Sequence, residues 1–99
     1  LRCGDALVDL DAGVVKHEGK EVSLTSKELA LLQVLYRNRG KIVTMDALCN
    51  AVWPEGNYGL ESSLIVHMRH LREKIEKDPS KPEFLTTVRG LGYKLEKNR

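Results

Sequence analysis

Two neighbouring segments late in the chain carry side chains suited to contacting an anionic polymer. Residues 61–77 read ESSLIVHMRHLREKIEK, and residues 84–95 read FLTTVRGLGYKL. The first has the spacing of an amphipathic helix, and the second has the pattern of a β-hairpin with Arg89 beside its turn. An exposed polar and basic helix can enter the major groove of a DNA duplex, and an arginine-tipped hairpin can reach the minor groove. The combination predicts sequence-specific binding of double-stranded DNA.

The helix divides into a face to be buried and a face to remain free. At about 100° per residue, its long apolar side chains fall within one narrow arc, the expected buried stripe. These are Leu64, Met68, Leu71 and Ile75. The free face offers a hydroxyl, two branched apolar groups, an arginine and a histidine. Branched apolar groups can pack on a thymine methyl, and arginine can pair with guanine or hold a phosphate. The residues expected on or beside this face are Ser62, Ile65, Val66, Arg69, His70 and Arg72.

Other chemistries fit the same residues less well. Gly90-Leu-Gly92 permits a tight reversal, but no helix follows it, so a phosphate-binding loop is excluded. His67 and His70 lie three apart, yet no cysteine or carboxylate completes a zinc ligand set near them. No paired carboxylates and no Ser–His–Asp set can be placed. The sequence therefore predicts neither an enzyme nor a bound cofactor or metal.

Two site candidates have structural alternatives. Trp53 could pack at the end of a helix, although its indole N–H could still donate to a phosphate. Arg72 could form an ion pair with Glu76 one turn further on instead of clamping a phosphate. His67 is expected to be structural, at the edge of the buried stripe.

The charge is unevenly divided along the chain. Residues 1–24 carry three basic and five acidic groups (−2), residues 25–60 carry four and three (+1), and residues 61–99 carry nine and six (+3). Positive charge thus collects where the proposed DNA-contacting elements lie. No apolar stretch approaches the roughly 20 residues that a membrane span needs. The widely separated Cys3 and Cys49 indicate reduced thiols, as in a cytoplasmic protein.

The surrounding elements are predicted in the order ββββ-α-α-α-ββ, with three or four strands in the first sheet, an α+β fold within a single domain, residues 1–99. Thr25 and Glu28 form a capping box, and Thr44 is a second N-cap signal. On the first helix, the side chains expected on one side are Leu29, Leu32, Leu35 and Tyr36. The expected elements are strands over 6–10, 14–17 and 21–24, helices over 26–38, 45–53 and 61–77, and hairpin strands over 84–88 and 93–95.

The chain resembles the C-terminal effector domain of OmpR/PhoB-type bacterial response regulators over essentially all of its length. The motifs that carry the resemblance are Leu24-Thr25 with Glu28, Leu29 and Leu32, GKIVTMDAL over 40–48, Val52-Trp53, VHMRHLREKI over 66–75, and TVRGLGY over 87–93. The resemblance implies a winged helix-turn-helix with an N-terminal antiparallel β-sheet, three α-helices and a C-terminal β-hairpin wing. The third helix would enter the major groove and the wing the minor groove.

The family also implies partners and a cellular context. Such a protein is a cytoplasmic bacterial transcription factor whose N-terminal receiver domain is phosphorylated by a sensor kinase. Its effector domain binds direct-repeat promoter DNA as a tandem dimer and can contact RNA polymerase. This chain begins at Leu1 and has methionine only at Met45 and Met68, so we expect a piece of a longer protein that lacks the receiver domain. The isolated domain is expected to be monomeric until it binds DNA.

The resemblance assigns roles by position. Val66, Arg69 and His70 would face bases or nearby phosphates, and Arg89 would lie in the minor groove. Contacts with the DNA backbone would come from Trp53, Ser62, Arg72 and Thr87. The polymerase or partner loop would be Pro54, Glu55, Gly56, Asn57, Tyr58, Gly59 and Leu60.

Three positions depart from the common pattern. Ser62 stands where relatives often have arginine, and His70 stands where they often have arginine or lysine. Ile65 stands where an acidic residue is frequent. The recognised sequence is therefore not transferable from a relative. The alternative function is a winged-helix protein-interaction module that has lost DNA binding. The two differ in their response to salt, because only DNA binding releases counterions.

Overall fold

The computed structural model describes residues 1–56 and 61–96. These residues form a four-stranded antiparallel sheet, three helices and a three-stranded antiparallel sheet. The strands are β1 (Arg2–Cys3), β2 (Ala6–Asp9), β3 (Val14–His17), β4 (Lys20–Ser23), β5 (Ile42–Thr44), β6 (Leu85–Val88) and β7 (Gly92–Leu95). The helices are α1 (Ser26–Arg37), α2 (Met45–Val52) and α3 (Glu61–Ile75). The predicted α+β fold class is confirmed.

The N-terminal sheet follows the strand order β1-β2-β3-β4. Val8 pairs with Val15, and Val15 pairs with Val22 on the exposed edge strand β4, which sets the register of the sheet. Between β3 and β4, Glu18 and Gly19 both have positive φ, the geometry of a two-residue hairpin turn that matches the strand twist. Val8 and Val15 are buried, so one face of this sheet covers the helices.

Helix α1 begins at the predicted capping box. Thr25 Oγ1 accepts from the Glu28 amide at 3.1 Å, and the Thr25 amide donates to Glu28 Oε1 at 2.9 Å. The expected buried side is right for Leu32 and Leu35. Leu29 and Tyr36 on the same side are only partly buried, with Tyr36 packed against the core, while Leu31 is fully buried. The stripe is rotated because α1 packs against α2, α3 and β7 at once, which the periodicity of one helix does not show.

Helix α3 buries the predicted stripe. Its fully or almost fully buried side chains are Leu64, Met68, Leu71 and Ile75. These side chains join the core formed by α1, α2 and both sheets. Packing of this stripe determines which side of α3 remains free.

The second sheet contains a strand that the sequence did not predict. Residues Ile42–Thr44 form β5, which pairs with β7 in the order β5-β7-β6. The C-terminal hairpin is therefore one part of a three-stranded sheet. Gly92 makes this possible, because a Cβ at this position would overlap the carbonyl oxygen of Val43. A three-residue strand whose partner lies some 50 residues later leaves almost no local signal.

No helix in the described ranges is long and apolar enough to cross a membrane.

Candidate nucleic-acid interface

The free face of α3 contains the side chains that its periodicity predicted. The exposed members are Ser62, Ile65, Val66, Arg69 and His70. Ile65 is 52% exposed and Val66 is 42% exposed, although both are large apolar side chains. Exposed apolar groups flanked by polar ones are typical of a contact surface. This mixed face is geometrically free to meet another molecule along the first three turns of the helix.

Arg72 lies at the border of this face and contacts the hairpin. Its Nε donates to the Leu85 carbonyl oxygen at 2.9 Å, and its Nη2 donates to Thr87 Oγ1 at 2.8 Å. The guanidinium carbon is 5.3 Å from the centre of the Tyr93 ring. The structure thus brings together two residues predicted to contact phosphate, Arg72 and Thr87. The alternative pairing of Arg72 with Glu76 is not the contact formed, because Glu76 instead accepts backbone hydrogen bonds.

Partial burial changes the electrostatics of Arg72. Desolvation lowers the pKa of its guanidinium below the usual value, while the nearby Tyr93 and Glu76 favour the charged form. An arginine nevertheless remains protonated at neutral pH. Arg72 therefore presents a fixed positive charge where α3 meets β6.

The hairpin tip presents Arg89 on a short and well-anchored loop. The Leu91 amide donates to the Val88 carbonyl at 3.0 Å, and Gly90 takes a positive φ of 79°. Arg89 and Leu91 are both exposed. The Leu91 carbonyl also accepts from the amide of Met45, the first residue of α2, at 3.2 Å. The tip is thus tied to the helix that precedes α3.

Trp53 packs at the end of α2, as the alternative to a phosphate contact predicted. The side chain is buried, its ring centre lies 6.0 Å from that of His67, and Lys27 Nζ lies 5.4 Å from the same ring. His67 is half-buried at the edge of the α3 stripe, as expected. Lys27 was missed, because 26 residues separate it from Trp53 and only tertiary packing joins them. Its Nζ also donates to the Val52 carbonyl at 3.4 Å.

The predicted partner loop is only partly described. Pro54 and Glu55 are exposed, and Gly56 is half-buried with a positive φ. Asn57, Tyr58, Gly59 and Leu60 lie outside the described residues.

Neither metal ligands nor a disulfide cluster is found within residues 1–56 and 61–96. In these ranges no three His, Cys, Asp or Glu side chains are arranged to hold a metal ion. Cys3 and Cys49 are not bonded to each other, and Cys3 is buried while Cys49 is partly buried.

The chain is similar to regulatory proteins of known families. Residues 19–95 match the family described as "Transcriptional regulatory protein, C terminal". The chain is 44% identical over 96 residues to the sensory transduction protein RegX3 of Mycolicibacterium smegmatis, which covers 97% of this chain and 42% of that protein. It is 39% identical over 95 residues to the uncharacterized transcriptional regulatory protein YcbL of Bacillus subtilis, covering 96% and 42%. The chain thus spans about two fifths of the length of these relatives.

Solved structures share the fold. The response regulator DrrB of Thermotoga maritima, an OmpR/PhoB homologue, superposes with a TM-score of 0.83 at 29% identity, covering 98% of this chain and 44% of that one. The DNA-binding domain of Klebsiella pneumoniae RstA, solved in complex with the RstA box, gives a TM-score of 0.75 at 26% identity, covering 97% and 95%. The hairpin beside α3 is therefore the wing of a winged helix-turn-helix. Because one family description matches most of the chain and its relatives are regulators, the chain belongs to the transcriptional regulatory protein C-terminal domains of OmpR/PhoB type.

Proposed function

We propose that this domain binds double-stranded promoter DNA in a sequence-specific manner, as the output domain of a bacterial two-component response regulator. One observation carries the proposal. An exposed face of α3 that mixes apolar and basic groups lies beside a wing that the same helix holds through Arg72. Two projections at a fixed spacing suit the adjacent grooves of a duplex better than they suit a single cavity.

The major-groove contacts would come from α3. Val66 and Ile65 can pack against thymine methyl groups, since both are exposed in the first half of the helix. Arg69 can make two hydrogen bonds to one guanine, or it can hold a phosphate. His70 can donate or accept at a base edge, so its presence changes base preference relative to an arginine.

The wing and the flanks of α3 would contact the minor groove and the phosphates. Arg89 is exposed at the wing tip, where a guanidinium can follow the narrow groove. Ser62 at the start of α3 and Thr87 on β6 present hydroxyls, and Arg72 adds a charge beside Thr87. Trp53 is buried, so it would reach a phosphate at most through its indole N–H.

The wider assembly is part of the same proposal. The longer relatives leave room for an N-terminal receiver domain, and RegX3 is itself called a sensory transduction protein. Phosphorylation of that receiver domain would favour a tandem dimer on direct-repeat DNA. The segment from Pro54 to Leu60 would contact RNA polymerase, which is consistent with the exposure of Pro54 and Glu55.

Salt dependence tests the proposal against the protein-interaction alternative. A domain that neutralises about four to six phosphates should lose duplex affinity with a slope of log K against log salt of roughly −4 to −5. Fluorescence anisotropy with a labelled duplex measures this slope. A flat response would instead favour the interaction module. The duplex itself should come from selection out of a random pool, which also returns the half-site and its repeat spacing.

Arg69 provides a sharper test of the α3 face. If it reads a base, Arg69→Ala should relax preference at one position of the selected site; if it holds a phosphate, the salt slope should fall by about one. Lys16→Ala is the matched control, because Lys16 is exposed on β3 in the acidic first segment and pairs with Glu21 at 3.9 Å. Equal effects of the two substitutions would contradict an interface on α3.

A further inference from the structure

Glu76 follows the last residue of α3, and its buried carboxylate accepts hydrogen bonds from the backbone at the start of the wing. Its side chain accepts three backbone N–H groups, and the residue is only 6% exposed. Oε1 accepts from the Glu83 amide at 2.8 Å, while Oε2 accepts from the Phe84 and Leu85 amides at 2.9 and 2.7 Å. These are the residues through which the chain enters β6.

The position of this carboxylate is unfavourable without those partners. The C-terminal end of a helix carries partial negative charge, which disfavours an anion. Burial of a carboxylate also costs free energy unless hydrogen bonds replace its water. Three charge-assisted hydrogen bonds to backbone N–H groups offset both costs. The buried carboxylate of Glu76 is therefore stable only when residues 83–85 keep this backbone conformation. The conformation of residues 83–85 is in turn stabilised by Glu76.

Arg72, one turn earlier on α3, makes the complementary contact. Arg72 Nε donates to the Leu85 carbonyl, whereas Glu76 accepts from the Leu85 amide. Both main-chain polar groups of Leu85 are thus bonded to side chains at the C-terminal end of α3, from Arg72 in the helix and from Glu76 just beyond it. β6 is an edge strand, with β7 on its other side, and an edge strand otherwise leaves such groups unpaired. Helix α3 therefore replaces the missing neighbouring strand at this point.

We propose that Glu76 is a positioning residue that sets the orientation of the wing, β6 to β7 with its loop, relative to α3. This inference rests on the proposed function, since a fixed orientation matters for binding only if α3 and Arg89 meet the same duplex. Glu76 itself does not contact DNA. Its loss would disturb the contribution of Arg89 to affinity more than the contribution of the α3 face.

The first test needs no DNA. Glu76→Gln keeps the size of the side chain but turns one acceptor oxygen into a donor, so it cannot accept at both ends. Residual dipolar couplings of backbone amides should then show a changed or broadened orientation of β6 and β7 relative to α3. Amide exchange at residues 83–85 should accelerate by about tenfold or more. An unchanged orientation would overturn the proposal.

Two further variants keep this test decisive. Glu28→Gln is the matched control, because Glu28 is another buried carboxylate that accepts a backbone N–H, and it also bonds α3 through Lys74, but none of its partners lies in the wing. It should leave the wing orientation unchanged. If Glu76→Gln does not fold, Glu76→Asp retains both acceptor oxygens one methylene further from the wing, and the same measurements apply. A wing reoriented equally by the control would contradict a specific role of Glu76.

The second test measures coupling on DNA. Arg89→Ala should reduce duplex affinity by about tenfold in the native background, which reflects one charge-assisted contact. In the Glu76→Gln background, Arg89→Ala should reduce affinity by less than about threefold, because a misoriented wing no longer places Arg89 in the minor groove. In the Glu28→Gln background the full reduction should persist. Additive effects with Glu76→Gln would overturn the proposal, whereas failure of the native chain to bind any duplex would overturn the proposed function and leave the orientation result intact.

Discussion

Lys74 Nζ donates to Glu28 Oε1 across 2.6 Å and thereby joins the third helix to the capping box of the first. Glu28 is 2% exposed, and the same oxygen also accepts from the Thr25 amide. Lys74 donates in addition to the Ser23 carbonyl at 3.0 Å, at the end of β4. One lysine therefore connects α3 to both the N-terminal sheet and α1.

This contact predicts a loss of stability in acid. Burial alone would raise the pKa of Glu28, but hydrogen bonds from Lys74 and Thr25 outweigh it and hold the pKa below the ordinary value of 4.5. Since the folded-state pKa is depressed, this stabilisation is present above pH 4.5 and is lost as the pH falls through the folded-state pKa. Urea unfolding between pH 3 and 7 should show the decline.

The matched variant for the acid effect is Glu28→Gln. It should cost about 2 kcal/mol of unfolding free energy at neutral pH, since Lys74 loses its anionic partner. Its unfolding free energy should also fall less steeply below pH 4.5 than that of the native chain. A native and a variant curve that run parallel in acid would show that Glu28 is not the group responsible.

Arg89→Ala should weaken DNA binding without unfolding the domain. The side chain is exposed, so its loss should change the unfolding free energy by no more than about 0.5 kcal/mol. Affinity for the selected duplex should nevertheless fall by about tenfold. Gel-shift titration and thermal melting followed by circular dichroism measure the two effects. Arg2→Ala, at an exposed arginine of β1, is the charge-matched control, and unchanged affinity in Arg89→Ala would remove the wing from the mechanism.

Gly92→Ala should be far more destabilising than Gly90→Ala, although the two glycines share one hairpin. A Cβ on Gly92 would overlap the Val43 carbonyl oxygen and lie 3.0 Å from Thr44 Cα, so β5 and β7 would have to separate. We expect a loss of about 3 kcal/mol or more. A Cβ on Gly90 meets no atom within 4 Å, and only its positive φ opposes alanine, at a cost of about 1 kcal/mol. Similar losses in chemical unfolding would refute the close approach of β5.

The two cysteines should differ in reactivity. Burial, with a smaller contribution from nearby Glu76, raises the pKa of the Cys3 thiol to about 11. Burial also raises the pKa of Cys49, but that side chain is only partly covered. At pH 8, iodoacetamide should therefore modify Cys49 well before Cys3, because only an accessible thiolate reacts. Mass spectrometry over time measures both rates, and urea should bring them together; equal rates in the native protein would contradict the burial of Cys3.

Short-range patterns in the sequence were sufficient to predict the helix starts and the buried side of α3. The capping box at Thr25 and Glu28, the N-cap at Thr44 and the buried stripe of α3 each depend on residues within one or two turns. The free face from Ser62 to His70 follows from that stripe, since the opposite side of a packed helix remains exposed. Helical geometry makes these features local, and local features can be read from spacing alone.

Tertiary structure decided the features whose partners lie far apart in the chain. β5 exists because β7 pairs with it, and Lys27 meets Trp53 only when α1 and α2 pack together. An ion pair between Arg72 and Glu76 was the alternative that helical spacing left open, yet both side chains bond to the main chain of Leu85 in β6. The partners of these two side chains lie on another element of the fold. Spacing along one helix therefore could not reveal them. The sequence by itself thus determined which side chains α3 presents, and only the tertiary structure decided how Arg72 and Glu76 hold the wing beside it.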